Sequence, residues 1–122
     1  MHKLVILIET PDDPLAFEGD WPKFLRLAEK MPGLIKETSS HVEDVLYGNY
    51  PISFIHELLF ADAQATYQAM ASPQGREAGK QLQDMTNGRI VLFTADHRED
   101  DLAHINQFRK QEEDERPEAN PG

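Results

Sequence analysis

His56 is the residue of this 122-residue chain best placed to do chemistry. It lies in the run Ile52-Ser53-Phe54-Ile55-His56-Glu57-Leu58-Leu59-Phe60, where period-two alternation puts it on one face with Phe54 and Leu58. A neutral imidazole has an unperturbed pKa near neutrality, so it serves as a base or as a hydrogen-bond donor to a bound phenol or ketone. The plain alternative is a buried histidine satisfied by a single backbone or side-chain partner. His41 belongs to a more polar segment and either flanks the same site or stands exposed at a sheet edge. Glu57 falls on the face opposite His56, where a structural ion pair with a Lys or Arg of a partner strand suits it best. Tyr47 and Tyr50 flank a turn and are expected to pack on the sheet edge, the other role open to them being to close a pocket mouth. Trp21 is read as a core or staple residue, with ligand contact as the alternative.

Other chemistries lack their residues. The absence of cysteine removes disulfides, thiol nucleophiles and thiolate metal sites. The five histidines show no HExxH or HxH spacing, so no metal is expected; His56 alone would be available as a haem ligand, and nothing else points to haem. Gly75, Gly79 and Gly88 have the wrong neighbours for a phosphate loop, and no G-x-S-x-G elbow occurs. No cofactor is expected. A net charge of −10 without a Lys/Arg cluster argues against nucleic acid. No apolar run approaches 20 residues, and the N-terminal run Leu4–Ile8 is too short for a signal peptide, so a cytoplasmic location is the default.

The elements that must position these residues follow from pattern. Lys3 to Glu9 reads as a strand. Asp20-Trp21-Pro22 reads as a helix start, with Phe24, Leu25, Leu27, Ala28 and Met31 at helical spacing up to Pro32-Gly33. Leu34 to about Val45 reads as a polar strand, with Ile35, Glu37, Ser39 and His41 on one face. Ile52–Phe60 is a third strand. Asp62 caps a helix that breaks and restarts at Ser72-Pro73, and Asn87-Gly88 ends it before a fourth strand, Arg89 to Ala95. Residues 96–122 carry 9 acids and 4 bases, half of the net charge. This acidic extension is expected to be partly helical, with Leu102, Ile105 and Phe108 spaced three apart, and then disordered.

Two strand–helix–strand halves in residues 1–95 predict an α+β domain, a ferredoxin-like βαββαβ arrangement with a four-stranded antiparallel sheet and its helices on one face. The apolar first and third strands belong at the centre and the polar second strand at an edge. Strands such as Leu4-Val5-Ile6-Leu7-Ile8 and Ile90-Val91-Leu92-Phe93 are apolar on both faces, and two helices cover only one. A second copy packed sheet to sheet, a two-fold homodimer, is the simplest cover.

The segments Glu57-Leu58-Leu59-Phe60-Ala61-Asp62, Tyr67-Gln68-Ala69-Met70-Ala71-Ser72-Pro73-Gln74-Gly75 and Asp84-Met85-Thr86-Asn87-Gly88 resemble the EthD family, named for ethyl tert-butyl ether degradation, of the dimeric α/β-barrel superfamily. Pro32-Gly33-Leu34 after the first helix matches as well. The resemblance implies the same fold, a dimer, and a ligand cavity between sheet and helices. Its superfamily includes cofactor-independent monooxygenases, dehydratases, decarboxylases, isomerases and haem-degrading enzymes, and the matched residues carry no catalytic role over. The expectation is a pocket for an apolar or aromatic small molecule built by Phe24, Leu27, Phe54, Tyr67 and Met70, flanked by His41, with His56 as the catalytic proton-transfer group. The competing expectation is a non-catalytic ligand-binding or accessory dimer of a degradative or oxidative pathway.

Overall fold

In the computed structural model, which describes residues 1–100, seven elements follow one another: β1 (His2–Glu9), α1 (Pro14–Ala28), β2 (Lys36–His41), β3 (Ile52–Phe60), α2 (Ala63–Ala71), α3 (Pro73–Thr86) and β4 (Ile90–Asp96). The sheet order is β2-β3-β1-β4 with every pairing antiparallel, the ferredoxin-like order. The apolar strands β1 and β3 are central and the polar β2 is an edge. The acidic extension beyond Asp100, with Leu102, Ile105 and Phe108, lies outside the described residues.

The helices cover the face that carries Leu4, Ile6, Ile8, Leu58 and Phe60, and these side chains form the core with Phe17, Phe24, Ala28, Met31, Ala69, Ala78 and Leu82. Register fixes the neighbours of His56: it stands opposite Ile6 on β1 and opposite Ser39 on β2. By the same ladders Glu37 stands opposite Leu58 and His41 opposite Phe54, so Glu37, Ser39 and His41 share the helix-covered face.

The first helix begins earlier than its pattern suggests. Asp13, not Asp20, is the N-cap, its carboxylate accepting from the Ala16 amide at 3.2 Å, and Pro14 opens the helix. The chain carries two Asp-plus-Pro start signals seven residues apart, and the first wins because Phe17 and Trp21 then both reach the core side. Pro22 is left inside the helix. It is exposed, so water can take the carbonyl bond that Pro22 cannot make. The second strand is shorter than expected, Lys36–His41.

On the second face of the sheet the burial is uneven. Val5 and Leu59 are only 3% and 2% exposed. What remains is a strip of half-buried Ile55 and Leu7 running into Val91 and Phe93, which are 38% and 44% exposed. Glu57 on this face is paired within the chain rather than with a partner: Lys3 Nζ lies 2.8 Å from Oε1 and Thr38 Oγ1 donates to Oε2 at 3.0 Å. The hydrogen bond from Lys3 and then that from Thr38 hold the Glu57 carboxyl below its ordinary pKa, against the opposing effect of burial. Tyr47, expected on the sheet edge, is 99% exposed beside Leu46 at 91%, because β2 ends at His41 and offers no surface there.

Candidate functional site

Strand β3 carries His56 into the interior because Phe54, Leu58 and Phe60 must face the helices and period two takes His56 with them. The residue is 1% exposed. Its ring meets Trp21 edge-on with centroids 5.2 Å apart and Phe24 at 5.8 Å. Nδ1 shares a 2.7 Å hydrogen bond with Ser39 Oγ. Nε2 is buried and has no hydrogen-bond partner. Burial drives the pKa down to about 4, opposed by the charge of Glu57, so the imidazole is neutral at physiological pH.

A second buried atom is in the same condition. Glu37 Oε1 makes no hydrogen bond, and burial, followed by the nearby Glu29 charge, raises the pKa of its carboxyl. Reading β2 as a wet edge strand concealed Glu37. The signal that finds it is the β2–β3 register, which places it diagonally across from His56 on the helix-covered face.

Beside His56 lies an apolar cavity of about 230 Å³ between the sheet and α1, α2 and α3. Its walls include Leu4, Ile6, Leu58, Phe24, Met70 and Leu82, and Arg76 and the exposed Leu92 stand at its rim. Three of these walls border His56: Ile6 across the ladder, Leu58 two residues on, and the Phe24 ring. His56 itself does not line the cavity; the Phe24 ring lines it and packs against His56. An engineered apolar cavity of about 150 Å³ holds benzene, so this one matches a substituted single ring.

The other sequence candidates separate. Phe24 and Met70 line the cavity. Phe54 instead joins an aromatic stack with Phe17 at 5.3 Å, Trp21 at 6.2 Å and His41 at 4.8 Å. His41 is exposed at the edge. Leu27 lies partly buried on α1, among Lys23, Arg26 and Lys30. Tyr67 is 54% exposed, its hydroxyl 2.9 Å from Thr94 Oγ1 on β4. Among the described residues no cluster of three or more His, Cys, Asp or Glu is arranged to hold a metal ion, and no helix is long and apolar enough to cross a membrane.

The order of strands and the helix-covered core define a ferredoxin-like α+β protein. Solved structures with this fold bear out the resemblance read from the sequence: an ethyl tert-butyl ether degradation (EthD) family protein from Bacillus halodurans superposes with a TM-score of 0.74 at 24% identity, covering 80% of this chain and 99% of that one. SnoaB, a cofactor-independent oxygenase from Streptomyces nogalater, gives 0.62 at 16% identity over 81% of this chain and 94% of its own. A dimeric ferredoxin-like protein of unknown function from Jannaschia gives 0.59 at 16% identity over 80% and 100%. At these identities the likeness establishes the fold. In sequence the chain is 28% identical over 98 residues to an uncharacterised 11.0 kDa protein from the thcB-thcC intergenic region of Rhodococcus erythropolis, spanning 79% of this chain and 94% of that protein. No protein-family model matches the chain.

Proposed function

We propose that this chain works as a homodimer that binds an apolar or aromatic small molecule in the sheet–helix cavity, and that it acts on that molecule without a cofactor, His56 being the group that hydrogen-bonds it and moves its proton. The observation that carries this reading is an unpartnered imidazole nitrogen, in a 1% exposed residue, packed on the Phe24 ring that lines an apolar cavity. Displacing Phe24 joins the two spaces. A buried nitrogen left without a partner costs about 1–3 kcal/mol, and an expense of that size is commonly retained for binding or catalysis. Proton transfer, or oxygenation of an electron-rich phenolate, suits an apolar site with one neutral imidazole. SnoaB lends support as a cofactor-independent oxygenase of the same fold.

Toluene and p-cresol titrations followed by NMR test the binding. Both compounds are expected to shift cavity resonances in the native protein, and Met70→Trp, which fills the cavity from α2, should abolish both responses. Shifts confined to the surface would exclude the cavity.

The seal around His56 favours a second reading. Packed by Trp21 and Phe24 and bonded to Ser39, the histidine also fits a non-catalytic ligand-binding or accessory dimer. Under that reading, replacing His56 changes stability and leaves ligand turnover absent in both proteins.

The dimer rests on the remaining apolar strip of Ile55, Leu7, Val91 and Phe93, and draws support from solved neighbours of the same fold described as dimeric. Phe93→Asp should yield a monomer in light scattering with the fold retained, since Phe93 is already 44% exposed in the single chain. A dimer surviving that change would place the interface elsewhere.

A further inference from the structure

We infer that Glu37 and His56 form one polar site for the hydroxyl group of an aromatic or apolar alcohol whose ring occupies the neighbouring cavity. The inference rests on the cavity reading above and names the class of molecule it takes.

Among the described residues, buried side-chain polar atoms without a hydrogen-bond partner occur at two positions, Glu37 Oε1 and His56 Nε2. They are not scattered. Ser39 pairs with His56 and Glu37 with Leu58, so the two residues are diagonal neighbours on adjacent strands, on the same face. Diagonal positions are about 7–8 Å apart, within reach of long side chains and of a group held between them. Buried polar atoms are paired in the great majority of cases, so two orphans on one patch call for one shared partner.

Their chemistry selects that partner. His56 Nδ1 and the Ser39 hydroxyl share their hydrogen bond in either sense, so Nε2 is a donor in one tautomer and an acceptor in the other. The Glu37 carboxyl accepts when ionised and donates when protonated. A hydroxyl donates one hydrogen bond and accepts two, so it completes every combination except the one in which both atoms are acceptors, whereas a carbonyl oxygen completes only the one in which both are donors. Burial weights both residues toward their uncharged forms, which suits a neutral hydroxyl rather than a carboxylate or an ammonium group. The pair adjoins the cavity: Leu58 stands opposite Glu37, Ile6 opposite His56, and both line it. The ring therefore has an apolar seat next to the two polar anchors.

Toluene and p-cresol, which differ by one hydroxyl, separate the anchors from the seat. Native protein is expected to bind p-cresol about tenfold more tightly than toluene, the effect of one well-made hydrogen bond to an otherwise unpaired group. Glu37→Leu and His56→Leu should each bring the ratio close to one while toluene affinity stays as it was. Glu37→Gln, which retains an acceptor and a donor, should keep most of the preference. A preference unchanged in Glu37→Leu would overturn the role of Glu37. Equal binding of both compounds by the native protein would overturn the polar site and leave the cavity standing. Binding of neither compound would overturn the cavity reading and this inference with it. The ratio is the informative quantity, because a merely structural role of Glu37 would alter both affinities together.

Discussion

Replacing His56 by leucine should make the protein more resistant to acid and, under the proposed function, abolish turnover. The native imidazole has its pKa near 4, against about 6.5 for an unfolded histidine. Between those values the unfolded chain binds the extra proton and the folded chain does not, so stability rises with pH across this window and falls on acidification. His56 is 1% exposed, and solvent screening therefore gives little relief. The full penalty from pH 7 to pH 4 is about 3 kcal/mol. Glu37 works in the opposite sense, since its raised pKa means that the folded chain takes up its proton first as pH falls. Comparing the native protein with His56→Leu removes that contribution and isolates the histidine.

At pH 7 the leucine variant should lie within about 1 kcal/mol of the native protein, because the lost bond to Ser39 is offset by removal of an unpaired buried nitrogen. Ser39 is exposed, so its hydroxyl turns to water. At pH 4 the variant should be the more stable by about 3 kcal/mol. Urea unfolding at the two pH values measures this directly. Parallel pH dependence of the two proteins would mean that His56 is not held neutral by burial.

Gly75→Ala should be among the most damaging single-methyl changes in the chain. Helices α2 and α3 meet at Ser72, whose hydroxyl donates to Ala69 O at 2.6 Å and accepts from the Gly75 amide at 3.0 Å. This tight junction brings the α2 carbonyls against Gly75. A Cβ on Gly75 would collide with Ala69 O and sit 2.8 Å from Met70 O. Both obstacles are backbone, and neither can swing aside as a flexible side chain would. The expected loss is about 3 kcal/mol, at the upper end of ordinary overpacking, or a melting temperature lower by roughly 15 °C. Because Met70 lines the cavity, the displaced α2 should also weaken toluene binding. Gly79→Ala, four residues on and with open space at its Cβ position, is the control and should be tolerated. Equal melting temperatures for Gly75→Ala and the native protein would show that the junction is looser than its geometry indicates.

These two residues also mark what the sequence makes readable. The Ala71-Ser72-Pro73-Gln74-Gly75 segment announces a helix break through local chemistry, a capping hydroxyl and a proline, and the break stands where those residues put it. Strand β3 was equally legible because Ile52–Phe60 is a mostly apolar run bounded by Pro51 and the capping Asp62. The start of α1 was not. Asp13-Pro14 and Asp20-Trp21-Pro22 are both valid local signals, and only the packing of Phe17 and Trp21 on Phe54 chooses between them. His56 could be located on an apolar face from Phe54 and Leu58 alone. Its packing on Phe24, a wall of the cavity, is a contact between distant elements, which no spacing encodes. Glu37 was placed with Ser39 and His41 on one face, yet its proximity to His56 follows from β2–β3 register, a property of two strands together.

The most direct measurement is a crystal structure of the protein grown with p-cresol. The ring is expected in the cavity among Ile6, Leu58, Met70 and Leu82, with the Phe24 side chain displaced and the hydroxyl within hydrogen-bonding distance of His56 Nε2 and Glu37. A structure at saturating p-cresol in which the cavity is empty and Phe24 still covers His56 would contradict it.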